Sequence, residues 1–175
     1  MTATLWPLLA DLLEYPRPTL LGELDAALAS DPMDAGIDAP LRRFREGLAR
    51  EGFERRQEDY TQVFDFSADT APYLGHHLFG EESRRGAFMA YLKKRCGETG
   101  VQIPAADVPD HLSLVLRFLD RLEPGEEREE LVRDCLVPTV ARLQQALERK
   151  QSPYADVLKA LSRALAAQAA PVSAA

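Results

Sequence analysis

Leucines recur three and four positions apart from the first residues onward. Leu5, Leu8, Leu9, Leu12 and Leu13 fall on one face of a helix. Pro16 and Pro18 end it, because proline disfavours helical geometry at the residue before it. Thr19 is the expected cap of a second helix, with Leu20, Leu21, Leu24 and Leu28 inward. A loop over Asp31 to Gly36 separates this from a third helix. There Asp38 is the expected N-cap, Pro40 is tolerated in the first turn, and Leu41, Phe44 and Leu48 form the buried stripe. Phe53, Tyr60, Val63 and Phe64 predict a fourth helix and Asp65 to Pro72 the loop after it. Tyr73 to Phe79 reads as a short helix stopped by Gly80. Ser83 opens another, with Phe88, Met89 and Leu92 inward and Gly97 or Gly100 at its end.

Val101 to Pro109, with two prolines, reads as an interior loop. Asp110 is the expected cap of a strongly amphipathic helix that turns Leu112, Val115, Leu116, Leu119 and Leu122 inward and breaks at Pro124 and Gly125. Glu126 to Lys150 reads as one long helix, its acidic start and basic end suiting the helix dipole, with a kink predicted at Pro138. Ser152 and Pro153 open a last helix with Tyr154, Val157, Leu158, Leu161 and Leu165 inward. Ala166 to Ala175 has little to pack and is expected to fray. No run alternates apolar and polar residues as a half-buried strand would. The pattern predicts an all-α fold: a single-domain bundle of about nine helices over residues 1–165, followed by an Ala-rich end over 166–175.

Charge narrows the partners. Lys and Arg number 21 against 28 Asp and Glu, a formal net charge of −7, whereas nucleic-acid binding draws on basic surface. No apolar run reaches the length of a bilayer span, so no direct membrane insertion is expected. Met1 to Leu13 lacks a basic n-region and holds Asp11, unlike a signal peptide. Cys96 and Cys135 are too few for a disulfide scaffold or a cysteine-based zinc site, and suit a reducing cytoplasm.

Catalytic signatures are absent. There is no dinucleotide fingerprint, P-loop, G-x-S-x-G elbow or H-E-x-x-H pair, and no cofactor is expected. His76 and His77 are adjacent and would point about 100° apart on a helix, so a metal site would need His111 and carboxylates from afar. Glu58 and Asp59 could serve acid–base chemistry if burial separated their pKa values, but a solvated acidic face is the simpler reading. Cys96 follows Lys93, Lys94 and Arg95, which could lower its pKa, while Cys135 reads as core. The segment Asp107-Val108-Pro109-Asp110-His111-Leu112 stands out. Pro109 stiffens its entry, Asp110 can accept amide hydrogen bonds, and the helix dipole disfavours the protonated form of His111.

Several segments, taken in order, carry a resemblance: Leu12-Leu13-Glu14-Tyr15-Pro16, Tyr60-Thr61-Gln62-Val63-Phe64-Asp65, His77-Leu78-Phe79-Gly80-Glu81, Arg85-Gly86 with Met89, Pro109-Asp110-His111-Leu112 with Leu116 and Leu119, and Ser152-Pro153-Tyr154-Ala155. From about Leu5 to Leu165 the chain resembles the NarJ-type nitrate reductase assembly chaperones. These belong to the redox-enzyme maturation proteins that include the TorD and DmsD types. The resemblance implies a TorD-like all-α fold and no catalysis. It implies a partner, the apo catalytic (alpha) subunit of a membrane-bound respiratory nitrate reductase, bound through its N-terminal segment. The client would be held in the cytoplasm until its molybdenum cofactor is inserted, which delays membrane docking. Related types bind twin-arginine signal peptides of other molybdoenzymes.

A bound N-terminal segment of this kind would be an amphipathic, partly basic helix. A helical host takes its apolar side in a groove and orients its basic side with acids at the rim. The candidate peptide-binding residues are Glu58, Asp59, Tyr60, Phe64, Tyr73, His77, Asp107, Asp110 and His111, with Glu81 and Glu82 as further rim acids and Phe79 and Phe88 as further aromatics. Tyr60 and Tyr73 suit an interface best, since tyrosine joins an apolar body to a polar tip, whereas phenylalanine is usually core. The alternative from a different class is a small metal-dependent hydrolase built on His77, His111 and carboxylates.

Overall fold

A computed structural model describes residues 5–30, 33–80 and 83–169, and every regular element in these ranges is a helix. The leucine face at the start forms α1 (Leu5–Leu12), where Leu9, Leu12 and the following Leu13 are fully buried. After Pro16 and Pro18 the chain enters α2 (Leu20–Ser30) and then α3 (Ala35–Arg50), whose Leu41, Phe44 and Leu48 are buried as their spacing requires.

The cap of α3 differs from expectation. Asp34, not Asp38, is the N-cap: its carboxylate accepts the Gly36 N–H at 2.8 Å and pairs with Arg163 at 2.9 Å. Asp38 lies inside the first turn and pairs with Arg42. Asp31 and Pro32 of the predicted loop lie outside the described residues.

The fourth segment forms α4 (Phe53–Tyr60) and runs into a π turn (Thr61–Asp65). A loop then leads to the short α5 (Leu74–Phe79). Gly80 ends it at φ 61°, a left-handed conformation that glycine adopts without steric cost. It is followed by α6 (Ser83–Thr99), which ends before Gly100 at φ 77°. The loop from Gly100 to His111 leads into α7 (Leu112–Arg121). The long segment after Gly125 is a continuous rod of α8 (Glu126–Glu130), a second π turn (Leu131–Leu136) and α9 (Val137–Arg149). Pro138 sits in the first turn of α9. Having no N–H, it cannot continue the α ladder, and the backbone widens just before it, where the Val137 N–H reaches the Val132 carbonyl.

The last helix, α10 (Tyr154–Ala169), opens with Ser152 Oγ accepting the Tyr154 N–H at 3.3 Å. It packs between α3 and α9, while α1 packs on α7 and α5 pairs with α6. Ala166 to Gln168 are helical but exposed; residues 170–175 of the Ala-rich end lie outside the described residues. At the centre Phe44, Tyr60, Phe64 and Tyr154 form an aromatic cluster, with ring centroids 4.9 to 5.2 Å apart for Tyr60–Phe64, Phe64–Tyr154 and Phe44–Tyr154. Phe64 is therefore a core residue, 2% exposed.

Candidate functional site

The ends of α1 and α4 and the start of α7 meet on one side of the bundle, and the loops before α5 and α7 join them there. They enclose an open groove of about 360 Å³ lined by Glu14, Tyr15, Tyr60, Asp65, Pro72, Tyr73, Asp107, His111 and Ser113. A neighbouring depression, lined by Glu54, Gln57, Glu58, Thr61 and Gln62, shares Tyr15 with it.

Each lining residue is held by a local cause. Tyr60 is 5% exposed, donates its hydroxyl to the Leu13 carbonyl at 3.1 Å and packs edge-on against Tyr15 at 5.6 Å. Asp65 follows Tyr60 by five positions. On an α-helix these would diverge by about 140°; the π turn brings residue i+5 back under residue i and sets both on the groove. Tyr73 and His111 form an antiparallel bridge, with the Leu74 N–H on the Asp110 carbonyl at 2.8 Å and the Leu112 N–H on the Pro72 carbonyl at 2.7 Å. Their rings meet edge to face at 5.4 Å. Arg117 of α7 holds Glu14 at 2.9 Å, whereas Asp65 and Asp107 have no ion pair among the described residues.

The groove is electronegative. The Tyr73 hydroxyl is pushed above its ordinary pKa by burial and then by the negative charges of Asp65, Asp110 and Asp107. His111 is pushed below its ordinary value by burial, against the opposing pull of Asp107, Glu14, Asp110 and Asp65.

Of the residues singled out in the sequence, Tyr60, Tyr73, Asp107 and His111 line the groove, and Glu58 lines the adjoining depression. Asp59 is turned to Arg55, which it meets at 2.9 Å. His77 lies apart, its Nε2 on the Ala71 carbonyl at 2.7 Å and its own carbonyl taken by Arg142 of α9. Phe79 and Phe88 pack on each other at 5.6 Å, in the α5–α6 pair. Glu81 and Glu82 lie outside the described residues.

Asp110 does not cap α7. His111 is the N-cap, its ring Nδ1 accepting the Ser113 N–H at 3.3 Å, while the fully buried Asp110 carboxylate reaches across to α5 and α6. The groove-lining residues not singled out in the sequence are Glu14, Tyr15, Asp65, Pro72 and Ser113. Glu14, Tyr15 and Asp65 stand in segments that carry the family resemblance, which was the available signal; Pro72 and Ser113 do not.

His76 and His77 touch each other at 5.1 Å while His111 is engaged with Tyr73 and Ser113. Among the described residues no three His, Cys, Asp or Glu side chains come close enough to hold a metal ion. Cys96 is buried, and burial pushes its thiol up rather than down; Arg95 beside it in sequence pairs with Glu127 and Glu98. Cys135 is half-buried against the core, with its pKa pushed up to about 11 by burial. Among the described residues no helix is long and apolar enough to cross a membrane.

The model of the family described as nitrate reductase delta subunit matches residues 30–160. This chain belongs to that family. It is 32% identical over 148 residues to the nitrate reductase molybdenum cofactor assembly chaperone NarJ of Escherichia coli (strain K12), covering 82% of this chain and 62% of that one. The probable assembly chaperone NarW of the same organism is 29% identical over 150 residues, covering 86% and 63%. The nitrate reductase-like protein NarX of Mycobacterium tuberculosis (strain ATCC 25618 / H37Rv) is 30% identical over 165 residues, which are 90% of this chain but 24% of that protein. This delta-subunit family member thus spans about three-fifths of the length of NarJ and NarW.

Proposed function

We propose that the protein is an assembly chaperone for a nitrate reductase, and that the groove holds the N-terminal segment of the apo catalytic subunit. In this reading it transforms nothing. It acts in the cytoplasm, while the molybdenum cofactor is inserted and before the client docks at its membrane anchor.

Beyond family membership, the observation that carries the reading is how acid and apolar residues alternate around the groove. Each lining acid is followed directly by an exposed large hydrophobic: Glu14 by Tyr15, Asp65 by Phe66 and Asp107 by Val108. Tyr15 is 54% exposed, Phe66 73% and Val108 38%, and these are three of the five such residues in the described chain. A surface that offers carboxylates and apolar side chains from three separate segments fits an amphipathic, basic helix.

The test is calorimetry with a peptide of the first residues of the partner reductase's catalytic subunit. A 1:1 complex is expected, weakened by Tyr15→Ala and by Asp65→Asn combined with Asp107→Asn. No heat, and no shift of melting temperature, would sink the proposal. A twin-arginine signal peptide from another molybdoenzyme serves as the comparison; tighter binding of that peptide would reassign the client.

A further inference from the structure

One groove wall is held by residues that do not line the groove. The Asp110 carboxylate is fully buried between α5, α6 and α7. Its Oδ2 accepts both the Gly75 N–H and the Arg85 Nε–H, each at 3.1 Å, while Oδ1 has no hydrogen-bond partner among the described residues. A carboxylate placed for stability alone would engage both oxygens, since an unpaired buried acceptor is costly. Here both donors converge on one oxygen.

The junction admits only glycine at position 75. A Cβ there would lie 2.7 Å from Arg85 Cγ and 2.7 Å from Asp110 Oδ2. Gly75 is two residues after Tyr73, and the guanidinium carbon of Arg85 stands 5.9 Å from the centre of the Tyr73 ring. Asp110 therefore holds Tyr73 twice: through the backbone at Gly75 and through the cation that faces its ring.

We propose that Gly75, Arg85 and Asp110 form a latch that fixes the Tyr73 wall, and that this latch sets the affinity of the groove for its occupant. Arg85 and Asp110 are positioning residues, acting through Tyr73 without touching the bound segment. The inference rests on the chaperone reading above.

The test uses the full chain and the same N-terminal peptide. Arg85→Gln and Gly75→Ala should each raise Kd roughly tenfold, a coupling of ordinary size for residues in contact, at a temperature where circular dichroism shows both folded. Arg85→Lys, which keeps a cation near Tyr73 and Asp110, should recover part of the loss. In a Tyr73→Ala background Arg85→Gln should have almost no further effect, a non-additivity that general destabilisation would not produce. Should Gly75→Ala fail to fold, Arg85→Gln alone decides, because its side chain is only partly buried. Wild-type affinity in Arg85→Gln, or full additivity with Tyr73→Ala, overturns the latch and leaves the chaperone reading standing. No binding by the wild-type protein removes both.

Discussion

His111 is both a groove residue and a helix cap, and the two roles set its protonation. Its Nδ1 accepts the Ser113 N–H, so the neutral ring carries its proton on Nε2. Burial holds its pKa below the ordinary 6.5, the nearby acids opposing but not overcoming it. His77 is likewise lowered, first by burial, against its hydrogen bond to the Ala71 carbonyl. Both rings thus titrate lower folded than unfolded. Between those values the unfolded chain binds more protons, so stability rises with pH. The contribution is complete above the unfolded value and is lost as the pH falls through 6.5 toward the folded values. The melting temperature is expected to drop between pH 7.5 and 5.5. His111→Asn, which keeps a capping acceptor, should flatten that slope, and His77→Gln should flatten it further. Carboxylates such as Glu127, held at about 2 chiefly by Arg95, enter only at lower pH. An unchanged slope in the double variant would refute the assignment.

At the scale of the element, the helices were legible because leucine spacing states which face is buried: the stripes of α3, α7 and α10 are buried as read, while Leu21 of α2 and Phe88 and Met89 of α6 are only half-buried. The caps were less so. Asp34 and Asp38, like Asp110 and His111, are rival caps with similar local chemistry, and the choice is made by tertiary partners that spacing does not reveal. Arg163 of α10 secures Asp34, while Gly75 and Arg85 draw Asp110 away from its own helix. Asp34→Ala should therefore lower the melting temperature more than Asp38→Ala, because Asp34 holds both the Gly36 N–H and the α10 contact, whereas Asp38 meets only Arg42 one turn on. Equal losses in thermal unfolding would contradict that placement. The π turns were invisible for a different reason. One extra residue per turn barely disturbs an apolar pattern, yet it moves Asp65 from an outward position to the groove.

At the scale of the molecule, the groove exists only because helix ends distant in sequence converge, which is why Tyr60, Tyr73, Asp107 and His111 could be chosen by residue type while Glu14, Tyr15 and Asp65 were passed over. Phe64 and Asp59 neighbour Tyr60 in sequence but face the core and Arg55. The balance of forces in the assembled groove can be separated by salt. The net charge of −7 and the unpaired Asp65 and Asp107 should speed the approach of a basic segment, whereas Tyr15, Phe66 and Val108 should retain it. The screening length shrinks from about 10 Å at 0.1 M to about 3 Å at 1 M salt, so exposed charges lose reach while apolar contact does not. Raising salt over that range should slow association and weaken the complex several-fold without abolishing it. Asp65→Asn with Asp107→Asn should remove most of the salt dependence, and Tyr15→Ala or Phe66→Ala should instead speed dissociation at every salt concentration. If affinity proves indifferent to salt in the wild-type protein, the acids do not read the occupant's charge, and recognition rests on the apolar rim alone.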